Sequence, residues 1–297
     1  MSDSTVPPAS PPPLRCGFVL PGGTAPQQLE LARVAEDAGW DGVFVWETAF
    51  GVDAWSLLAA MAVATERVRL GTLLTPLAWR RPWKVASQLT TVDQLSNGRA
   101  ILSVGLGAVD DELGQTGEPT DRRHRAELLD DGLAIIDALL AGDRAHRGTH
   151  HTVDLDRPSL TGAADPVQRP RPPVWIVGLW GAPRSMRRVL RGDGYLPNLR
   201  GGPSSPDREQ VAEMRAWLDE HGPSGRTLDL VCEGQTPADD ATAGTETVTP
   251  LAAAGATWWI ENRWGDDQHG AARRAETRER LEAGPPSVAA SGGDDRG

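Results

Sequence analysis

The sequence predicts an α/β fold, a (β/α)8 TIM barrel made by a single domain with disordered termini. Short runs rich in Val, Ile, Leu and Trp alternate eight times with segments of helical spacing, the order of a parallel sheet built from βαβ units. The best-defined runs are apolar on both faces, as strands covered on both sides are. A chain of 297 residues also fits one barrel of about 250 residues with short ends.

The clearest unit is 68–107. VRLGTLL reads as a buried strand, Pro82 suits the first turn of a helix through Leu95, Asn97-Gly98 ends that helix, and AILSVGLG starts the next strand. Two such strands joined by one helix are parallel neighbours in a right-handed crossover.

Around that unit the elements follow in order. Residues 1–13, rich in Pro and Ser, read as a disordered arm. The first strand is 16–20, the first helix 26–38, stopped by Gly39, and GVFVW is the second strand, ending at Glu47. Asp53 caps a helix through Ala64. Beyond the fourth strand, 121–140 carries Leu129, Leu133, Ile136 and Leu140 at helical steps. The stretch 142–171 is an irregular insertion with room for a hairpin near 146–155. PVWIVG, GYLPN, TLDLVCE and TWWIE are strands five to eight, with helices at GAPRSMRRVLRG, 207–220, 241–254 and 271–281. The barrel thus occupies 14–283, and 284–297 reads as a disordered tail. The helix at 241–254 has the poorest apolar pattern.

Composition narrows the function. The formal charge of −11 repels phosphate backbones, so nucleic acid is not an expected partner. No basic-then-apolar leader and no long apolar run appear, so a cytoplasmic protein without a membrane partner is expected. Lys84 is the only lysine and falls inside a helix, which argues against Schiff-base chemistry. Cys16 and Cys232 lie in strands and read as buried free thiols.

Three stretches carry a resemblance when taken together: AEDAGWDGVFVWE, ATERVRLGTLLTP and RRPWKVASQLTTVDQLSNGRAILSVGLG. They resemble the bacterial-luciferase-like flavin-dependent oxidoreductases, (β/α)8 enzymes that use FMN or the deazaflavin coenzyme F420. Weaker likeness continues through PVQRPRPPVWIVG, GDGYLPN and AAAGATWWIE, so it spans roughly 15–284. The resemblance implies a small organic substrate, with monooxygenation by reduced flavin and oxygen if the cofactor is FMN, and hydride transfer if it is F420. It also implies pairing through exterior helices, hence a homodimer.

Barrel chemistry sits at the carboxyl ends of the strands. Glu47 ends an apolar strand, where burial raises a carboxyl pKa and suits it to moving a proton; equally, it reads as a structural carboxylate paired with a rim arginine. Many deazaflavin-using relatives have Asp-His where this chain has Glu47-Thr48, so the histidine is missing, and an acid of the sugar-phosphate dehydrogenases matches Ala108. The resemblance places a non-prolyl cis peptide at Leu73-Leu74 behind the ring, with Thr75 in reach of it and Leu106 and Gly107 on the next strand end. The loop Gly178, Leu179, Trp180, Gly181 leads into a helix whose first turn holds Arg184 and Ser185, an anion-favouring arrangement. In the resembled family that turn holds the cofactor phosphate; by itself it also reads as an ordinary βα turn.

Trp79 and Trp180 are candidates to wall a pocket, core filling being the plainer reading, and at most one of Trp258 and Trp259 can face the barrel interior. Arg80-Arg81 reads as a rim ion pair. No metal site is expected: Asp110, Asp111 and Glu112 read as a solvated loop, and His146, His150 and His151 as part of a surface hairpin. Two further readings stay open, a barrel that binds flavin without catalysis and a cofactor-free barrel enzyme acting on a phosphorylated metabolite.

Overall fold

A computed structural model describes residues 13–108, 115–155, 165–201, 205–263 and 270–288. All but residue 13 of the expected arm at 1–13, the acidic trio at 110–112 and most of the tail lie outside them. Eight parallel strand positions close on themselves. They are β1 (Arg15–Val19), β2 (Gly42–Val45), β3 (Arg69–Thr72) continued by β4 (Thr75–Pro76), β5 (Ala100–Gly105), β8 (Val174–Leu179), β9 (Gly194–Asn198), β10 (Asp229–Gly234) and β11 (Trp258–Glu261). The ring closes where β3 pairs with β5, Leu70 opposite Ala100, and where β1 pairs with β11, Arg15 opposite Trp258. The antiparallel hairpin β6 (Ala145–Arg147) and β7 (Thr152–Asp154) stands outside the ring, within the expected insertion.

The helices are α1 (Ala25–Asp37), α2 (Ala54–Ala64), α3 (Pro82–Leu95), α4 (Arg122–Leu140), α5 (Pro183–Val189), α6 (Arg208–His221), α7 (Ala241–Ala253) and α8 (Ala271–Glu282). Their starts follow the sequence signals. Asp53 Oδ1 accepts the Ser56 N–H at 2.7 Å, Asp207 and Gln210 form a reciprocal capping box, and Pro82 opens α3. Asn97 (φ 54°) and Gly98 (φ 84°) take the left-handed conformation that ends α3. The poorly patterned α7 forms despite Pro250, with Asp240 capping Ala243 and Val248 and Leu251 buried. The chain keeps contact with the barrel past Gly284, where the Pro286 carbonyl accepts from Cys16 Sγ.

Two apolar layers result from the alternation of strand side chains. The outer layer fills the space between strands and helices. The inner layer contains Val19, Phe44, Leu73, Ile101, Trp175 and Trp258 among others, so the barrel is a packed core rather than a pore. Phe44 stacks on Trp175 with centroids 5.3 Å apart, and Trp258 meets Trp175 edge-on at 5.1 Å. Glycines make room for these rings: a Cβ on Gly17 would come 2.8 Å from Phe44, and one on Gly194 2.3 Å from Trp175. Trp258 faces inward and Trp259 outward, as their adjacency requires.

Candidate active site

The carboxyl rim brings together the ends of β2, β4 and β5. The peptide between Leu73 and Leu74 is cis, and β3 is interrupted there before resuming as β4. Leu74 rests over Gly105, whose Cβ would approach its Cδ2 to 3.0 Å. Thr75 is fully buried; its hydroxyl lies 2.5 Å from Glu47 Oε1 and 3.0 Å from Thr72 Oγ1. Glu47 also accepts from Trp55 Nε1 at 2.8 Å, and Arg80 lies 3.5 Å from its other oxygen. Only 6% of the Glu47 side chain is exposed. Burial pushes its pKa up, opposed by Arg80, Thr75 and Trp55. Phe44 belongs to the inner layer and Val43 and Val45 to the outer one, so Glu47 continues the outward parity toward α2 rather than into the lumen.

Trp46 has the inward parity and packs against the inner layer. It lines a cleft of about 490 Å³ with Gly22, Thr48 and Phe50 at the ends of β1 and β2. A second cleft, of about 650 Å³, lies between α2 and α3 and is lined by Trp55, Trp79, Arg80 and Lys84 among others. Lys84 is exposed there on α3.

Leu106 and Gly107 follow β5. Gly107 has φ 75°, and a Cβ on it would meet Pro76 at 2.7 Å and Arg125 Nη2 at 3.0 Å. Arg125, from the first turns of α4, escaped notice in the sequence because nothing in DRRHRAELL separates it from its neighbours. It is 1% exposed, and among the described residues neither terminal guanidinium nitrogen has a hydrogen-bond partner. A buried, unsatisfied cation beside a barrel rim is costly without an anion. Ser103 Oγ and Trp258 Nε1 are also buried without partners among the described residues, Ser103 within β5 and Trp258 in the inner layer.

The turn from β8 to α5 is braced locally. The Leu179 N–H donates to Ser185 Oγ at 2.9 Å and the Trp180 N–H to the Asn198 carbonyl at 2.9 Å. Gly181 has φ 74° with open space where a Cβ would stand, and Arg184 is exposed beside it. Gly178 serves packing instead: a Cβ would come 2.5 Å from Val189 and 2.9 Å from Tyr195. The Trp180 ring packs edge-on against Trp217 of α6, the core-filling reading of that residue.

Other strand-end acids are tied up elsewhere. Glu261 is fully buried on the outward parity of β11 and holds Thr236, Trp259 and Arg263, with Arg280 of α8 at 3.8 Å. Burial pushes the Cys16 and Cys232 thiols up to about 12, so neither supplies a thiolate near neutral pH. Among the described residues no helix is long and apolar enough to cross a membrane.

A closed (β/α)8 barrel with an interrupted third strand and a glycine-bearing turn into α5 defines a class of barrel in which ligands meet the carboxyl rim. The family profile for luciferase-like monooxygenases matches residues 12–295, and the chain belongs to that family. A protein of Mycobacterium tuberculosis, named by assignment as a coenzyme F420-dependent oxidoreductase, is 35% identical over 209 residues, which are 67% of this chain and 57% of that protein. Two solved structures share the fold. An F420-dependent secondary alcohol dehydrogenase with an F420-acetone adduct has a TM-score of 0.69 at 17% identity, covering 91% of this chain and 99% of that one. The FMN-bound oxygenating constituent of a diketocamphane monooxygenase from Pseudomonas putida has 0.68 at 15%, covering 93% and 99%.

Proposed function

We propose that the protein is an oxidoreductase that binds FMN or coenzyme F420 at the carboxyl rim and acts on a small organic substrate. The open turn at Gly181 carries this reading. Apart from its chain neighbours, no heavy atom of the described residues lies within 4 Å of where a Cβ on Gly181 would stand, while the start of α5 and the exposed Arg184 supply positive potential. Ser185 holds the turn in shape through the Leu179 N–H. The orphaned donors of Arg125 and Ser103 fit a ligand with several acceptors nearby. Bound FMN or F420 would supply the redox chemistry.

The remaining work falls to the chain. Leu73, Leu74, Leu106 and Gly107 form the wall behind the ring. Glu47 and Thr75 act as a positioning pair, the carboxylate fixing the threonine that follows the cis peptide and thereby the placement of Leu74. Trp46 and Thr48 bound the adjoining cleft as a substrate-facing surface.

The test is titration of the purified protein with FMN and with F420, followed by fluorescence, for the wild type and the Arg184→Ala/Ser185→Ala double variant. Saturable binding of one cofactor is expected, weakened roughly five- to tenfold in the double variant, about 1–1.4 kcal/mol. Binding of neither cofactor, or unchanged affinity in the double variant, overturns the assignment of this turn.

A further inference from the structure

A second group of ligating side chains stands away from the strand ends. His124 and Glu127 lie one turn apart on α4, and the β6–β7 turn brings His150 against both. His150 Nε2 is 3.4 Å from Glu127 Oε2, and the His124 and His150 rings meet edge-on with centroids 5.0 Å apart. One ligand atom from each of the three side chains lies within 4.8 Å of the others. Among the described residues His150 Nε2 is buried and makes no hydrogen bond.

We infer that His124, Glu127 and His150 form a binding site for a divalent transition-metal ion, with zinc the best match. Two imidazoles and one carboxylate are a donor set for zinc, with metal–ligand distances of roughly 2.0–2.2 Å in a tetrahedron. Such a tetrahedron sets its ligand atoms about 3.3–3.6 Å apart, the spacing already held between His150 and Glu127. The His124 ligand atom stands within 4.8 Å of the other two. A fourth position remains for water on the exposed side, where Glu127 and His150 retain solvent contact.

The surroundings prepare this arrangement. Asp131 accepts the backbone N–H groups of Thr149, His150 and His151 at 2.8–3.2 Å, and binds His151 Nδ1 at 3.0 Å. That fixes the turn carrying His150 before any ion arrives, the outer-shell support that metal ligands need. Gly148 permits the approach, since a Cβ there would fall 1.5 Å from Asp131 Oδ1. Arg123 donates to Glu127 Oε1 at 3.2 Å and leaves Oε2 to face His150. A plain ion pair between His150 and Glu127 explains neither the converging His124 nor the unmade hydrogen bond at Nε2. The bound ion would tie the hairpin to α4.

The experiment uses the full chain without an affinity tag, stripped with a chelator and titrated with Zn²⁺ by calorimetry. One equivalent is expected to bind, with affinity at least tenfold weaker in His124→Ala and in His150→Ala. Glu127→Gln, which keeps the side-chain volume, should weaken binding in the same direction. His221→Ala on α6 should bind as the wild type does, Mg²⁺ should not substitute, and the metal-free melting temperatures should agree. Failure of the wild type to bind Zn²⁺ saturably, or full affinity in either histidine variant, as scattered surface histidines would give, overturns the site.

Discussion

Replacing Arg99 with methionine tests whether the most recognisable motif of the chain serves the fold rather than the cofactor. Arg99 closes the Ser96–Arg99 turn after α3 and is 9% exposed. Its guanidinium donates to the carbonyls of Ser96, Val68, Ala62 and Thr65 and to the Thr65 hydroxyl, at 2.7–3.0 Å. The Arg99→Met variant keeps much of the stem but leaves four buried carbonyls without their donor. At about 1 kcal/mol each, the low end for an unsatisfied buried group, the loss is about 4 kcal/mol. A domain of this size unfolds with an entropy of roughly 0.6 kcal/mol/K, so the melting temperature should fall by about 6 °C. Calorimetry or urea unfolding measures this, with cofactor affinity as the second readout. Arg99 precedes β5 and bonds to residues before β3, at the barrel face where stability rather than catalysis is built. Affinity should therefore stay at the wild-type value. A melting temperature within 2 °C of wild type, or a lost cofactor site in a variant that melts normally, would refute the reasoning.

Glu47→Gln separates positioning from proton transfer: turnover should fall less than tenfold, whereas loss of a general acid or base costs about 10²–10⁴-fold. Because burial raises the folded-state pKa of Glu47 above 4.5, wild-type stability is lost as pH rises through the window between 4.5 and that raised value. The glutamine variant lacks this loss, so its stability relative to wild type should rise across the window in urea unfolding series, and a fall would count against the burial argument. Asp131 behaves oppositely. Burial pushes its carboxyl up, but the His151 bond and the backbone N–H groups outweigh it, so its pKa lies below 3.8. Its contribution is present above that value and lost as pH falls through the folded pKa. Asp131→Asn should raise hydrogen exchange at Thr149, His150 and His151 about tenfold, and unchanged protection would remove Asp131 as the anchor of that turn.

The barrel was legible because parallel strands covered on both faces must be apolar throughout, and eight such runs with helical segments between them close in one way. Caps at Asp53 and Asp207 and the turn at Asn97-Gly98 followed from local chemistry. The interior was not legible: nothing in GVFVW says that Phe44 fills space vacated by Gly42 on its own strand and by Gly17 and Gly71 on the two neighbouring ones. The same limit applied at the rim. Glu47 stood out as a strand-end carboxylate, but its partners Trp55, Thr75 and Arg80 come from three later elements. Arg125 and the meeting of His124 with His150 depend on tertiary placement alone. The histidines near 146–151 are neighbours in sequence, while the side chains that meet His150 lie more than twenty positions earlier.

The solitary lysine has a practical consequence. A lysine-specific endoprotease has one peptide bond to attack in the whole chain, after Lys84 and inside the intact α3. The folded helix withholds that bond from an enzyme that requires an extended substrate, so a single scission into two fragments reports opening of the barrel wall around α3. Where closing outpaces cutting, the rate of that scission measures the free energy of opening without dye, label or denaturant.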